Sequence, residues 1–483
     1  MKCFSTYSVK LLFYSRIFKE TVAIYRRAVD FFIHVCLAEW NTFSDDSEYV
    51  LQMQDVERMC HQTSGRPCVK YDTFDKEFYK FPSYLRRGAI VEAIGKVSSY
   101  MSNLHMWESA DIHTRGRKPS YPKAGYVYPC MYKTVMFQET GTYEVKIKIF
   151  IRNTWDWLTV SCRKSDVDYI NRWCADKKKC APTLQRRGKE WFLDFPFEET
   201  VTLPETKIFD QTVVAVDLGI NASATVSILR ADGTVLGRHF LKLPKEYDSL
   251  EHAINRIKKA QQHGNRKTPR LWAVAKGIND DIAVKTAHFI IETALLYQAD
   301  VIVMEHLDRE GKISGSKKQK LHMWRSQYVQ EMVQHKAHRL HMRIARICAW
   351  GTSRLAYDGS GPVKRGRDAK LSSYSLCAFS GGKVYNCDLS ASYNIGSRYF
   401  IREITKSLPE KERLALAAKV PQVSKRSTCT LSTLINLYAV LSGRPDCTES
   451  DCMSGNAVPA SKRGYVHNAL KGSTRLQSCE ASR

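Results

Sequence analysis

The chain has no run of the roughly 18 apolar residues that a membrane-crossing helix needs. Its first residues, Met1-Lys2-Cys3-Phe4-Ser5-Thr6, lack the long apolar core of a secretory signal. It is short of acid: 49 Asp and Glu stand against 74 Lys and Arg, a formal net charge of +25. Its 15 cysteines are odd in number and scattered without a paired framework. In 483 residues that pattern argues against a disulfide scaffold and for a reducing cytosol. No internal repeat is visible. A secreted disulfide-stapled domain and a membrane-spanning protein are both poor fits, and no membrane partner is expected.

What is present is large and cationic. A hydrophobic content of 43% is ordinary for a globular protein, and the length allows two to four domains with a sizeable core. The positive excess attracts polyphosphate. A ribosomal or membrane-surface protein would share that excess. A set of carboxylates favours nucleic acid as a substrate.

Three distant stretches each present one acid. They are V-V-A-V-D-L-G-I-N at 213–221, D-V-I-V-M-E-H-L at 300–307 and N-C-D-L-S-A-S-Y-N-I-G at 386–396, and the acids are Asp217, Glu305 and Asp388. Alone, an acid after four apolar residues is a common strand end. The order of segments adds weight. A strand at 213–216, a second at 224–229, the turn Ala231-Asp232-Gly233 and a third strand at 234–241 read as antiparallel hairpins. A helix-length segment at 279–297 follows, then the short strand ending in Glu305, and finally a helix at 389–404 opened by Asp388. This is the order of an RNase H-like fold, in which acids from the first strand, a later strand end and the last helix converge. Carboxylates so gathered hold two cations ~3.5–4 Å apart, which clamp the attacking and leaving oxygens of a phosphodiester. Mg²⁺ is the expected metal, with Mn²⁺ as an alternative.

Elsewhere the reading is coarser. Residues 11–40 and 85–107 carry helical stripes, the first through Leu12, Ile17, Val22, Tyr25, Val29 and Phe32. T-R-G-R-K-P at 114–119 is a basic linker with Arg115, Arg117 and Lys118. Alternation at 142–150 marks a half-buried strand, and 155–162 and 190–195 continue the pattern. Between the last two lie Lys177, Lys178 and Lys179, then Arg186 and Arg187. These loops suit a nucleic-acid backbone or simply keep strand edges soluble. A Gly/Ser/Lys loop at 308–320 leads to one long amphipathic helix over 321–350. Trp324, Tyr328, Met332, Leu340, Ile344 and Ile347 make its apolar face, and Arg325, Lys336, Arg339, Arg343 and Arg346 make it basic. Residues 444–483 are polar enough to be a disordered tail.

These residues resemble the transposon-encoded TnpB family and its relatives, the compact type V CRISPR effectors with a RuvC-type nuclease. D-L-G-I-N, M-E-H-L, W-G-T-S at 350–353 and D-L-S-A-S-Y-N-I-G carry the resemblance in the core. S-Y-L-R-R-G-A-I at 83–90 and R-N-T-W-D-W-L-T-V at 152–160 are similar to the family's recognition and wedge segments. The resemblance covers roughly residues 1–440. It implies an α/β multidomain protein with an RNase H-like (RuvC) nuclease core at 211–351 and 383–443. To that it adds an N-terminal β-barrel-like wedge domain at 1–20 and 126–210, a helical recognition domain at 21–125 and a zinc-ribbon-like insertion at 352–382. It also implies an RNA-guided DNA endonuclease. A guide RNA pairs with one strand of a double-stranded target DNA, while the protein reads a short flanking motif and the backbone. Asp217, Glu305 and Asp388 would then be the metal-binding catalytic acids, and 308–320 a lid. Both a monomer and a homodimer are compatible with the chain.

One departure stands out. The family carries C-x-x-C-G soon after the T-S and a second C-x-x-C before the last Asp. Here Thr352-Ser353 is followed by R-L-A-Y-D-G, the second pair survives as Cys377 with Ser380, and Cys387 is out of register. A structural zinc site needs four Cys or His ligands in paired spacing, so no structural zinc is expected and the insertion is degenerate. Three other readings compete: a nuclease-silent RNA-guided DNA binder acting as a regulator, an unguided RNase H-like transposase, and a basic scaffold in which the acids are coincidence.

Overall fold

The computed structural model describes residues 1–13, 16–44, 51–113, 115–219, 222–265, 267–307, 325–369, 371, 373 and 375–443. The expected lid at 308–320, the tail at 444–483, Thr114, Ile220, Asn221 and the expected helix start at 321–324 lie outside the described residues. The fold is mixed α/β and multidomain. It divides into two compact units, Phe4–Glu199 and Met1–Cys3 with Thr200–Arg483. Among the described residues no helix is long and apolar enough to cross a membrane.

The first unit opens with strand β1 (Lys2–Leu11), then helices α1 (Arg16–Ser44), α2 (Met53–Cys60), α3 (Thr73–Glu77) and α4 (Ser83–Ser109). Strands β2 (Phe137–Gly141), β3 (Glu144–Ile151) and β4 (Thr154–Ser161), helix α5 (Lys164–Trp173) and strands β5 (Lys178–Lys179), β6 (Thr183–Arg187) and β7 (Glu190–Thr200) complete it. β2, β3 and β4 form one sheet; β1, β5 and β6 gather on β7 in another. The expected helical stripe at 11–40 begins too early. Cys3, Ser5, Tyr7, Val9 and Leu11 are buried in strict alternation, a period of two that makes a strand, and the helix starts only at Arg16. The expected basic loops also contract. Lys178 and Lys179 pair with β7, and Arg186 and Arg187 are strand residues opposite Trp191 and Glu190.

The second unit is built on strands β8 (Val213–Asp217), β9 (Ala224–Leu229) and β10 (Val235–Leu241), helices α6 (Pro244–Gln262) and α7 (Pro269–Leu296), and strand β11 (Val301–His306). Helix α8 (Ser326–Arg339), strand β12 (Arg343–Cys348), short strands β13 (Lys364–Arg365), β14 (Leu376–Ala378) and β15 (Val384–Asn386), and helices α9 (Cys387–Ser407), α10 (Glu410–Lys419) and α11 (Leu431–Leu441) follow. The five-stranded sheet has the order β10-β9-β8-β11-β12. β8, β9 and β10 are antiparallel hairpins, while β11 runs parallel to both β8 and β12. Every residue of β8 is buried, as expected of a strand covered on both faces. One face packs Val213, Ala215, Val301 and Val303 against α9 and α11. The other packs Val214, Val216, Ile302 and Met304 against α7 and α8.

Two expectations need correction. The single helix at 279–297 is the second of two, α6 and α7, each with a proline in its first turn, where the missing N–H costs nothing. The long helix over 321–350 is instead α8, a turn with His341 at φ +61°, and strand β12. Ile344 and Ile347 sit three apart, which reads as one helical face. In a strand that spacing points to opposite faces, and both faces of this sheet are covered. Ile347 joins the α9 side and Ile344 the α8 side.

Candidate active site

Strand parity places the first two acids together. β8 and β11 are in register from Val213 opposite Val301 to Val216 opposite Met304. Asp217 and Glu305 each lie one step past that last pair. Alternate residues of a strand share a face, so Asp217 belongs with Val213 and Ala215, and Glu305 with Val301 and Val303. That is the face on which α9 packs. Asp388 stands in the first turn of α9. The N-cap Asn386 accepts a hydrogen bond from the Leu389 N–H at 2.9 Å, which sets where the helix begins and therefore where Asp388 falls. Further along, Gly396 lets helix and sheet close up. A Cβ there would lie 2.8 Å from Leu229 Cδ1 and 3.0 Å from Ala215 Cβ.

The electrostatics of this end of the sheet are unbalanced. Asp217 and Glu305 are each 8% exposed, and Asp388 is half-buried. Burial pushes the Asp217 carboxyl well above the usual carboxylate range; the charges of Glu305 and Asp388 push it further, and Arg365 opposes them. Glu305 is raised by burial too, while the hydroxyl of Thr352, which donates to its Oε1, and the charge of Arg398 pull it back. Burial also lifts the Cys387 thiol to about 12, so it stays protonated and donates to Asp388 Oδ1 at 3.6 Å.

Several supporting residues were invisible as such in the sequence. Arg398 donates to the carbonyls of Cys429 (3.1 Å), Cys348 (3.0 Å), Trp350 (2.8 Å) and Ser427 (2.7 Å). Asn394 Nδ2 donates to the carbonyls of Thr352 at 3.0 Å and Leu355 at 2.9 Å. Gln330 Nε2 donates to the Glu305 carbonyl at 2.8 Å. The one available signal was position: Asn394 and Arg398 share a helical face at i,i+4, and Thr352 lies in the W-G-T-S motif.

Among the described residues no three His, Cys, Asp or Glu side chains are gathered closely enough to hold a metal ion. The chemistry of the three acids fits one nonetheless. They offer only oxygen, repel each other, and two are buried, an environment that a hard divalent cation such as Mg²⁺ satisfies. The insertion after Thr352 is a small antiparallel sheet, β13-β14-β15, held by aromatic packing. Tyr357 packs against Phe379, Tyr385 and Tyr393 with ring centroids 5.6, 5.0 and 5.2 Å away. Lys383 donates to the Tyr357 hydroxyl at 2.8 Å, and Cys377 donates to the Tyr385 carbonyl at 3.4 Å.

The cations expected to grip nucleic acid are largely engaged within their own units. In the first unit Lys177 pairs with Glu199 at 2.8 Å, Lys178 with Glu198 at 2.9 Å, Lys179 with Glu139 at 2.5 Å and Arg187 with Asp194 at 2.9 Å. Arg186 lies over Trp191. Arg115 sits 4.2 Å and Lys118 5.8 Å over the Trp107 ring, with Arg117 exposed beside them. In the second unit Arg325 pairs with Asp280 and lies 4.3 Å over Tyr328. Lys336 meets His288, and burial lowers it to about 8. Arg339 and Arg343 are half-buried, on a helix and a strand respectively.

The Aq_aa04 family model matches residues 5–151. The uncharacterized protein aq_aa04 of Aquifex aeolicus (strain VF5) is 44% identical over 52 residues, 11% of this chain and 30% of that protein. The chain thus spans under a third of the relative's length. Among solved structures, it is similar to a Cas12f1–sgRNA–target DNA complex (12% identity, 81% of this chain and 98% of that one, TM-score 0.32). It is also similar to Alicyclobacillus acidoterrestris C2c1 with single-guide RNA (12%, 79% and 66%, TM-score 0.39) and to CasPhi-2 (Cas12j) bound to crRNA (10%, 82% and 98%, TM-score 0.36). No residue's role follows from a likeness of this degree.

Proposed function

We propose that the chain is an RNA-guided, Mg²⁺-dependent DNA endonuclease with one RNase H-like (RuvC-type) site built on Asp217, Glu305 and Asp388. One observation carries the reading. Two acids lie one register step past the last pair of adjacent parallel strands, on the face where the helix bearing the third acid packs. Mg²⁺ held by these carboxylates would stabilise the charge that develops in phosphodiester hydrolysis.

The chain's own residues prepare the site. Thr352 and Arg398 favour the ionised form of Glu305, the form that binds a cation. Asn394 ties the segment carrying Thr352 to α9. Burial leaves the Asp217 charge poorly solvated, which raises the gain from a counterion. The guided part of the reading is supported by the D-L-G-I-N, M-E-H-L and D-L-S-A-S-Y-N-I-G resemblance and by a charge of +25, far more than one site for a single scissile phosphate requires.

The test is reconstitution. The protein is purified with RNA from its native locus, stripped, and assayed on target DNA with and without that RNA. Cutting should require RNA and Mg²⁺, and should move when the spacer sequence is changed. Equal cutting by RNA-free protein, or cut positions indifferent to the spacer, would overturn the guided reading in favour of an unguided transposase.

A further inference from the structure

A groove of about 1400 Å³ lies along β12, the second half of α9, α10 and the segment 423–429. β12 is the terminal strand of the five-stranded sheet, so this groove follows the sheet's edge. It starts beside the candidate active site. Glu305 is opposite Ile347, and His306 is opposite Cys348; His306 and Cys348 both line the groove.

Its charge is one-sided. Arg346, Lys406, Arg413 and Arg426 line it and are exposed. Among the described residues Glu403 is the only carboxylate of the lining, and it is engaged by Arg402 at 2.8 Å. Arg346 donates to a neutral partner, Gln334, at 3.1 Å. Arg413 reaches Glu410, 3.9 Å away and exposed, a pairing worth little in water. Trp350, 62% exposed, stands in the same lining. A large aromatic ring left in water on a cationic rim marks a contact surface, and its flat face is what an unstacked nucleobase covers.

We propose that this groove binds single-stranded DNA, with phosphates on Arg346, Lys406, Arg413 and Arg426 and a base stacked on Trp350. It is the path by which the strand cut at the carboxylates crosses the edge of the sheet. The choice of DNA rests on the nuclease reading above. The choice of a single strand rests on Trp350, because bases inside a duplex have no free face to offer.

The groove contains its own reporter, since Cys348 is exposed in its lining. Full-length protein in EDTA, where nothing is cut, is alkylated with a maleimide in the presence of an oligo-dT, and each thiol is followed by peptide mapping. Saturating oligonucleotide should slow alkylation of Cys348 at least tenfold and leave the exposed Cys68 unchanged. A Lys406→Glu, Arg413→Glu double variant should need at least tenfold more oligonucleotide for the same protection. Its log–log salt slope should be shallower by about 0.7 for each phosphate that the variant no longer neutralises. Trp350→Ala should weaken protection by oligo-dT and not by polyglutamate. Unchanged Cys348 reactivity at saturation, or unchanged protection in the double variant, overturns the proposal. Equal protection by duplex DNA overturns the single-strand assignment, and equal protection by polyglutamate makes the groove a site for an acidic protein segment. No cleavage enters this assay, so its failure leaves the carboxylate reading standing, and inactive acids would leave the groove standing.

Discussion

The acids that pair with residues 177–187 and the acids at the ends of β8, β11 and α9 are the same chemical group in opposite circumstances. In the first region each has a cation beside it: Asp194 with Arg187, Glu198 with Lys178, Glu199 with Lys177, Glu139 with Lys179. In the second, Asp217 is influenced chiefly by burial and by two further acids, and the opposing charge of Arg365 is the weakest influence on it. A paired acid is explained by the fold that it helps to hold. Buried acids that repel one another cost the fold stability, and the proposed chemistry would be the reason to keep them. The contrast also corrects the use of net charge. Many of the chain's cations are committed to internal partners, so a total of +25 does not locate a binding surface.

The comparison can be broken most sharply by alanine. Asp217→Ala, Glu305→Ala and Asp388→Ala should each lower cleavage on the order of 10³-fold or more while guided DNA binding, measured by filter retention, stays close to that of the parent. Full cutting by any one of them would remove that residue from the site. Asp194→Ala should do the reverse. It leaves Arg187 mostly buried without its carboxylate, which costs about 3–5 kcal/mol in chemical denaturation, yet the folded fraction should cut normally.

Gly396→Ala sharpens the link between packing and site. The added methyl must displace Leu229 or lift α9 from the sheet, at about 1–3 kcal/mol. Because α9 carries Asp388, cleavage per folded molecule should also fall. A loss of stability with undiminished cleavage would show that Asp388 tolerates the shift.

The smallest effect concerns Asp217→Asn without metal. In the folded chain the Asp217 carboxyl holds its proton more tightly than its ordinary value of 3.8 allows. Its contribution to stability is therefore full below 3.8 and is lost as pH rises through the higher folded value. In EDTA the Asn variant should melt above the parent near neutral pH, with the difference closing in acid. Mg²⁺ should raise the parent's melting temperature and not the variant's. A variant that melts below the parent at neutral pH would mean that the Asp217 charge is compensated within the fold.

Much around the acids was legible before the structure. β8, β9, β10, β11 and α9 fall close to where apolar runs, the D-G turn and the N-C-D helix opening place them. Other segments misled for physical reasons. At the chain's start the buried positions alternate through polar Ser5, so strand β1 lacks a clean apolar alternation, and the helical stripe read from residue 11 onward ran into its end. Ile344 and Ile347 satisfy a helical spacing while serving the two faces of a strand.

The sequence by itself determined the identities of the acids and the kinds of element that carry them, because period, capping and turn chemistry act within a few residues. Only the tertiary structure decided which charges are spent and which are free. Lys179 meets Glu139 across 40 positions and Arg325 meets Asp280 across 45, while Thr352 reaches Glu305 across 47. Charge belongs to a residue and is read from its letter. Pairing belongs to two residues that folding brings together, so the balance of each surface is set by the fold.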